Sequence, residues 1–239
     1  MTIHKSGFKV ELQHTTWSPS KLSCYEQCPA QASYKYLHKL PEPKGEALIR
    51  GSAIHEAAEL YVTGRTKKLD PNLSKAKKVL DTLRKEYNKG LVRTELDLAY
   101  TKDWESCGWM DKAVYCRFKV DVVKLDHPDS GECLIIDWKT GKFKPNGEYD
   151  DQLRLYCLAV LSNSELHMEK AVAELYFTDV GEPVRRDNGR LVLSELAAER
   201  VKWDKRVKRM FADTEHAPSP GPNCRWCPWT VQKGGPCVY

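Results

Sequence analysis

The chain has 239 residues, of which 41% are hydrophobic and 30% charged, and it carries a net charge of +5. That length and balance fit one well-buried core in a single soluble domain, and no apolar run approaches the ~20 residues that would exclude this class in favour of a bilayer-spanning one. The mild basic excess is compatible with a polyanionic partner without proving one.

Residues up to about Thr16 read as a polar lead-in with one short strand. Ser18 is a good N-cap and Pro19 suits the first helical position, so a helix opens there. Helices follow to about Asn88, broken around Pro41 to Gly45 and Gly64 to Pro71. Within them, His55 and Glu59 lie one turn apart on one face. Strands are expected over Val92–Tyr100, Val114–Leu125 and Glu132–Lys139, then an amphipathic helix opening at Asp150, on which Gln152 and Tyr156 share a face. A strand from Ala171 to Thr178, a hairpin-like stretch from Gly181 to Leu193 and a last helix from Ser194 to Phe211 complete the pattern. Lysines and arginines crowd the helices over 71–88 and 194–211, where a solvated face and a phosphate-tracking wall weigh about equally. Trp104 and Trp109 flank the loop before the second strand; they suit the core, with stacking on single-stranded bases as the other reading.

The centre of interest is Ile136-Asp137-Trp138-Lys139, an apolar strand ending in an acid and a lysine that point the same way. Such charges are costly unless paired, metal-bound or functional, although a surface ion pair is the bland alternative. The preceding strand places Lys119 and Asp121 on one face, with Phe118, Val120 and Val122 on the other. The turn His127-Pro128-Asp129-Ser130-Gly131 predicts an antiparallel hairpin; centred on Asp129, it puts Asp121 directly opposite Asp137. Cβ atoms in such a pair are about 5 Å apart, so both carboxylates stay charged only if a cation lies between them. Mg²⁺ or Mn²⁺ with oxygen ligands satisfies that requirement, and Lys139 beside it suits hydrolysis at phosphorus.

The nine cysteines are an odd number, and no apolar signal segment is seen at the N-terminus, so a secreted disulfide framework is not expected. Cys133 and Cys157 lie in apolar runs and read as core; Cys107 and Cys116 have no obvious partner. Cys224-Arg225-Trp226-Cys227 follows a Pro-rich loop, and Cys237 comes near the end, giving three candidate ligands where such sites want four.

The order His55, Asp121, Asp137-x-Lys139, Gln152-x3-Tyr156 resembles the RecB-like branch of the PD-(D/E)XK nucleases, as do the run Arg50 to His55 and the segment Ser18 to Pro29. The resemblance implies that His55, Asp121 and Asp137 bind the metal, that Lys139 is catalytic, and that Gln152 and Tyr156 support the site or contact DNA. Glu95 stands where some relatives carry another site acid. Relatives usually have glycine two residues before the first acid, and here Lys119 stands there. In the iron–sulfur members of this branch, which include AddB-type subunits and the small nucleases of CRISPR adaptation, one N-terminal cysteine joins three C-terminal ones around a [4Fe–4S] cluster. This implies Cys28, Cys224, Cys227 and Cys237, with Cys24 as a substitute for Cys28 one helical turn away, and structural Zn²⁺ as the alternative occupant.

The expectation is therefore one α/β domain, with a central mixed β-sheet flanked by helices (a restriction-endonuclease-like core) and a helical cap clipped by the C-terminal cysteines. Within 1–239, the N-terminal helical part spans 17–90, the catalytic core 91–212 and the cysteine-rich tail 213–239. The expected activity is a cytoplasmic Mg²⁺- or Mn²⁺-dependent exonuclease acting on DNA ends in recombination, repair or DNA processing. A DNA-binding scaffold with a vestigial site is its rival, and a zinc-stapled module whose acids never converge is a third reading. No phosphate-cradling Gly-x4-Gly-Lys-Ser/Thr is present, so a helicase or recombination protein would have to come as a partner; self-association into a homo-oligomer is left open.

Overall fold

The computed structural model describes residues 13–43, 45–126, 131–143 and 149–239. The short strand expected before Thr16 and the apex of the turn at 127–130 lie outside these residues for the most part. Two compact units form, one from residues 1–43 and 204–239, the other from residues 44–203.

The larger unit is built on a five-stranded sheet of β1 (Val92–Tyr100), β2 (Cys116–Leu125), β3 (Glu132–Lys139), β4 (Lys170–Phe177) and β5 (Glu182–Val192), in the order 1-2-3-4-5. Only β3 and β4 pair in parallel, so the sheet is mixed. The parallel pair requires a crossover, which α5 (Asp150–Ser162) supplies. The hairpin-like stretch after Gly181 is one strand, β5, whose hairpin partner is β4. Glycine is needed at position 181: φ is +85°, and a Cβ there would stand 2.7 Å from the Lys75 carbonyl oxygen.

One core cluster joins α3 (Glu46–Val62) and α4 (Lys77–Tyr87) to the sheet through Ile54, Ala58, Leu80, Leu83, Val122 and Ile136. Each of the Val, Leu and Ile side chains contributes roughly 1.5–3 kcal/mol by leaving water. Helix α5 covers β4 and β5 and also touches β2. It is not amphipathic: every residue from Leu155 to Ser162 is buried. Trp104 is core, packed with Phe118 and Tyr100, while Trp109 is partly exposed under the Arg117 guanidinium. Cys133 and Cys157 are buried as expected.

In the smaller unit Ser18 caps α1 (Pro19–Gln27) by accepting from the Lys21 backbone N–H at 3.2 Å. Pro29 forces Cys28 into an extended conformation, so the helix breaks there and restarts as α2 (Pro29–Ala32). The Tyr25 hydroxyl donates to Asp213 at 2.9 Å, and Arg206 forks onto Glu26. Arg206 belongs to α6 (Leu196–Ala212) and Asp213 follows it directly in sequence, and α6 contributes residues to both units. Among the described residues no helix is long and apolar enough to cross a membrane.

Candidate active site

The β2–β3 register runs Leu125↔Cys133 to Val122↔Ile136, so the next pair is Asp121 and Asp137. The β1–β2 register, Thr94↔Val122 and Leu96↔Val120, sets Glu95 on the other side of Asp121. Three acids thus form a row across three neighbouring strands. The reading in which Asp121 and Asp137 never meet does not hold.

Helix α3 adds His55. Its Nε2 lies 2.9 Å from the Trp138 carbonyl oxygen, to which it can only donate, so in the neutral ring Nδ1 is left as the acceptor. Nδ1 in turn lies 3.2 Å from Asp121 Oδ2. Two acceptors at that distance repel unless a proton or a cation joins them. Burial disfavours the imidazolium, yet Asp121, with Asp137 and Glu95 beyond, holds the His55 pKa above its ordinary value. Among the described residues, His55, Glu95 and Asp121 present ligand atoms that all lie within 4.8 Å of one another. A mixed nitrogen and carboxylate set of this kind suits Mn²⁺ or Mg²⁺.

Asp137 lies outside that close group and is held differently. Its Oδ1 accepts from Gln152 Nε2 at 3.2 Å and from the Tyr156 hydroxyl at 3.1 Å; Gln152 also donates to that hydroxyl at 2.7 Å. Its Oδ2 is buried without a well-directed hydrogen bond and has the Lys139 ammonium 2.6 Å away as an ion pair. Burial raises the Asp137 carboxyl, the Lys139 charge opposes this and Asp121 adds to it; the direction that prevails is upward. The Tyr156 phenol is pushed well up, by burial first and by Asp137 next.

Two supports were not legible in the sequence. Thr178, following β4, donates to the Lys139 carbonyl through its N–H at 2.9 Å and its hydroxyl at 3.2 Å. Asp179 accepts from the Gly141 N–H at 2.7 Å and takes both terminal nitrogens of Arg50, one helical turn or so before His55. The backbone from the Lys139 carbonyl to the Gly141 N–H is therefore pinned, and pinning limits the reach of the Lys139 side chain.

The model of the PD-(D/E)XK nuclease superfamily matches residues 16–232. The chain belongs to that superfamily. The five-stranded mixed sheet flanked by helices is consistent with the restriction-endonuclease-like fold of these nucleases. A structure titled "Crystal structure of SSO0001" is similar at TM-score 0.48 and 14% identity, covering 92% of this chain and 86% of that one. No curated protein matches. Membership makes metal-dependent nuclease chemistry the activity to which the acid row, His55 and Lys139 are to be fitted.

The smaller unit of this nuclease holds a second constellation. A cavity of about 240 Å³ is lined by Cys28, Cys224, Cys227, Cys237 and Tyr34, whereas Cys24 is not part of its wall. The Ser219 N–H points at Cys28 Sγ at 3.4 Å and the Gly221 N–H at Cys224 Sγ at 3.3 Å. Cys237 is fixed by a bridge to Thr230 and by donating its N–H to the Trp229 carbonyl at 3.0 Å. Burial raises the Cys227 thiol, and the neighbouring thiols of Cys237, Cys28 and Cys224 raise it further. All nine cysteines are free.

Proposed function

We propose that this protein is a Mg²⁺- or Mn²⁺-dependent deoxyribonuclease that shortens DNA from its ends. The observation that carries the reading is the convergence of ligand atoms of His55, Glu95 and Asp121 within 4.8 Å, beside the Asp137–Lys139 pair. Glu95 joins His55, Asp121 and Asp137 as the residues that would hold the cation. When bound, the cation supplies positive charge against that developing on the scissile phosphate, and acidifies water. The Lys139 ammonium orients the attacking water in line with phosphorus and stabilises the charge that develops there. Gln152 and Tyr156 keep Asp137 in one orientation through their shared hydrogen bonds.

The cysteines of the smaller unit are read as ligands of a [4Fe–4S] cluster. One feature supports thiolate ligands here: backbone N–H groups are aimed at two of the sulfurs, the type of contact that tunes metal-bound thiolates. Structural Zn²⁺ held by the same four cysteines is the alternative occupant. The cluster would join α1 to the C-terminal tail and so restrict a long loop in the unfolded chain.

One observation favours a second reading, a DNA-binding subunit with a vestigial site: Lys119 already pairs with Glu95 at 3.0 Å. A time course separates the two. Anaerobically purified protein is given end-labelled linear and closed circular DNA with Mn²⁺, Mg²⁺ or EDTA. Metal-dependent shortening of linear DNA alone, absent in Asp137→Ala, is expected. Lys139→Ala should keep metal and DNA binding and lose cleavage; full cleavage by that variant refutes the role given to Lys139, and DNA binding without any product favours the vestigial site.

A further inference from the structure

Lys119 precedes Asp121 by two residues on β2, on the same face. Its cross-strand partner on β1 is Asp97, yet its ammonium reaches to Glu95 Oε2 at 3.0 Å. Glu95 is the same carboxylate that converges with His55 and Asp121. Its backbone stands at φ +48° in the middle of a strand, a conformation that a residue with a side chain holds only under constraint. The constraint places the carboxylate between two claimants: the ammonium on one side and the cation position on the other.

An ammonium and a divalent cation compete for one carboxylate. The Lys119 side chain is 57% exposed, so its ammonium is accessible to a polyanion from solvent. A lysine ammonium on a four-carbon stem also moves readily from one oxyanion to another. A phosphate of the bound strand offers it an alternative partner, and transfer to that phosphate would release Glu95.

We propose that Lys119 is the counter-ion of Glu95 in the DNA-free protein and passes to a DNA phosphate on binding, which frees Glu95 to complete the cation site with His55 and Asp121. This rests on the nuclease reading above and adds a regulation of the same site: DNA assembles the metal centre that cuts it. Coupling of this kind is reciprocal, so the cation must also tighten DNA binding by the same factor.

The test is calorimetric Mn²⁺ titration without DNA and with a duplex oligonucleotide, both series being carried out on a Lys139→Ala background to keep the duplex intact and the two series comparable. Without DNA, Lys119→Met should tighten Mn²⁺ by about fivefold or more, since an ion pair with one exposed partner and a nearby positive charge are both removed. Lys119→Arg should stay near wild type. On a Glu95→Gln background, Lys119→Met should tighten Mn²⁺ clearly less than with Glu95 present, leaving only the through-space effect of the removed charge, because the proposed route runs through Glu95. DNA should tighten Mn²⁺ more in the protein with Lys119 than in Lys119→Met. An unchanged DNA enhancement, or an equal effect of Lys119→Met with and without Glu95, overturns the proposal and leaves the nuclease reading standing. No Mn²⁺ binding in any form, with or without DNA, overturns both.

Discussion

Tyr156→Phe isolates one hydrogen bond to a buried carboxylate. The hydroxyl donates to Asp137 Oδ1 at 3.1 Å, and the substitution leaves Gln152 Nε2 as the remaining donor, itself deprived of the phenol as a second acceptor. A hydrogen bond to a charged group contributes about 1.5–3 kcal/mol, so the metal-free variant should lose about 2 kcal/mol at pH 8. The Asp137 carboxyl, already raised mainly by burial, should rise further when this donor is lost. The sign for stability follows from that direction. A carboxyl whose folded pKa exceeds its unfolded value contributes fully below the unfolded value, about 3.9, and the contribution fades as pH rises through the folded pKa. Acidification therefore helps both proteins, and helps the variant more. Urea denaturation in EDTA should show the deficit shrinking from about 2 kcal/mol at pH 8 towards the ~1 kcal/mol of a neutral hydrogen bond once both carboxyls are protonated. An equal deficit at both ends of the pH range, or one below about 0.5 kcal/mol at pH 8, would refute the view that Tyr156 stabilises a charged Asp137.

Three further outcomes are expected. Gly181→Ala combines positive φ with a Cβ only 2.7 Å from a backbone oxygen, so it should cost about 2–4 kcal/mol in denaturation, against about 1 for Gly141→Ala, where φ is +89° but no atom lies within 4 Å. His14 is buried with neither ring nitrogen hydrogen-bonded, and burial, then Lys21 and His216, lower its pKa to about 4, against Asp213. The unfolded chain therefore takes up this proton first, stability is whole above pH ~6.5, and about 1–3 kcal/mol is lost between there and pH ~4; melting curves of His14→Leu should lack that component. Cys28→Ser should abolish iron incorporation in anaerobically purified protein while Cys24→Ser retains it, since only Cys28 faces the cavity with the other three; the absence of both iron and zinc from the wild type would refute the cluster.

The β2–β3 hairpin was legible because two signals agree. Turn residues centre the connection near Asp129, and strand alternation then fixes which side chains share a face. The register found in the structure opposes Asp121 and Asp137, as that centring requires. The run from Leu155 to Ser162 shows the opposite case. Its neighbours in sequence suggest one polar face, but the crossover between parallel β3 and β4 encloses the helix, so burial overrides the pattern. Thr178 and Asp179 come next to Lys139 and Gly141 only because β4 lies parallel to β3, a pairing with no local mark in either segment.

The contact between the third acid and its lysine was hidden for a related reason. Resemblance marks Glu95 as standing where some relatives carry another site acid, and Lys119 as the residue in place of a glycine, but nothing local in the sequence pairs the two. The connection between β1 and β2 is fifteen residues long and carries no turn chemistry that would set their register. Once the register is known, Glu95 and Asp97 are both in reach of Lys119, and the choice of Glu95 depends on a left-handed backbone at that residue. An acid row of three with one histidine could not persist without positive charge close by. In the structure that charge comes from Lys119 at one end of the row and Lys139 at the other. The two lysines differ in burial, 57% against 22% exposed, and the proposed duties follow that difference: the more enclosed Lys139 is assigned the fixed charge at the site, and the more exposed Lys119 the one that a DNA phosphate draws away.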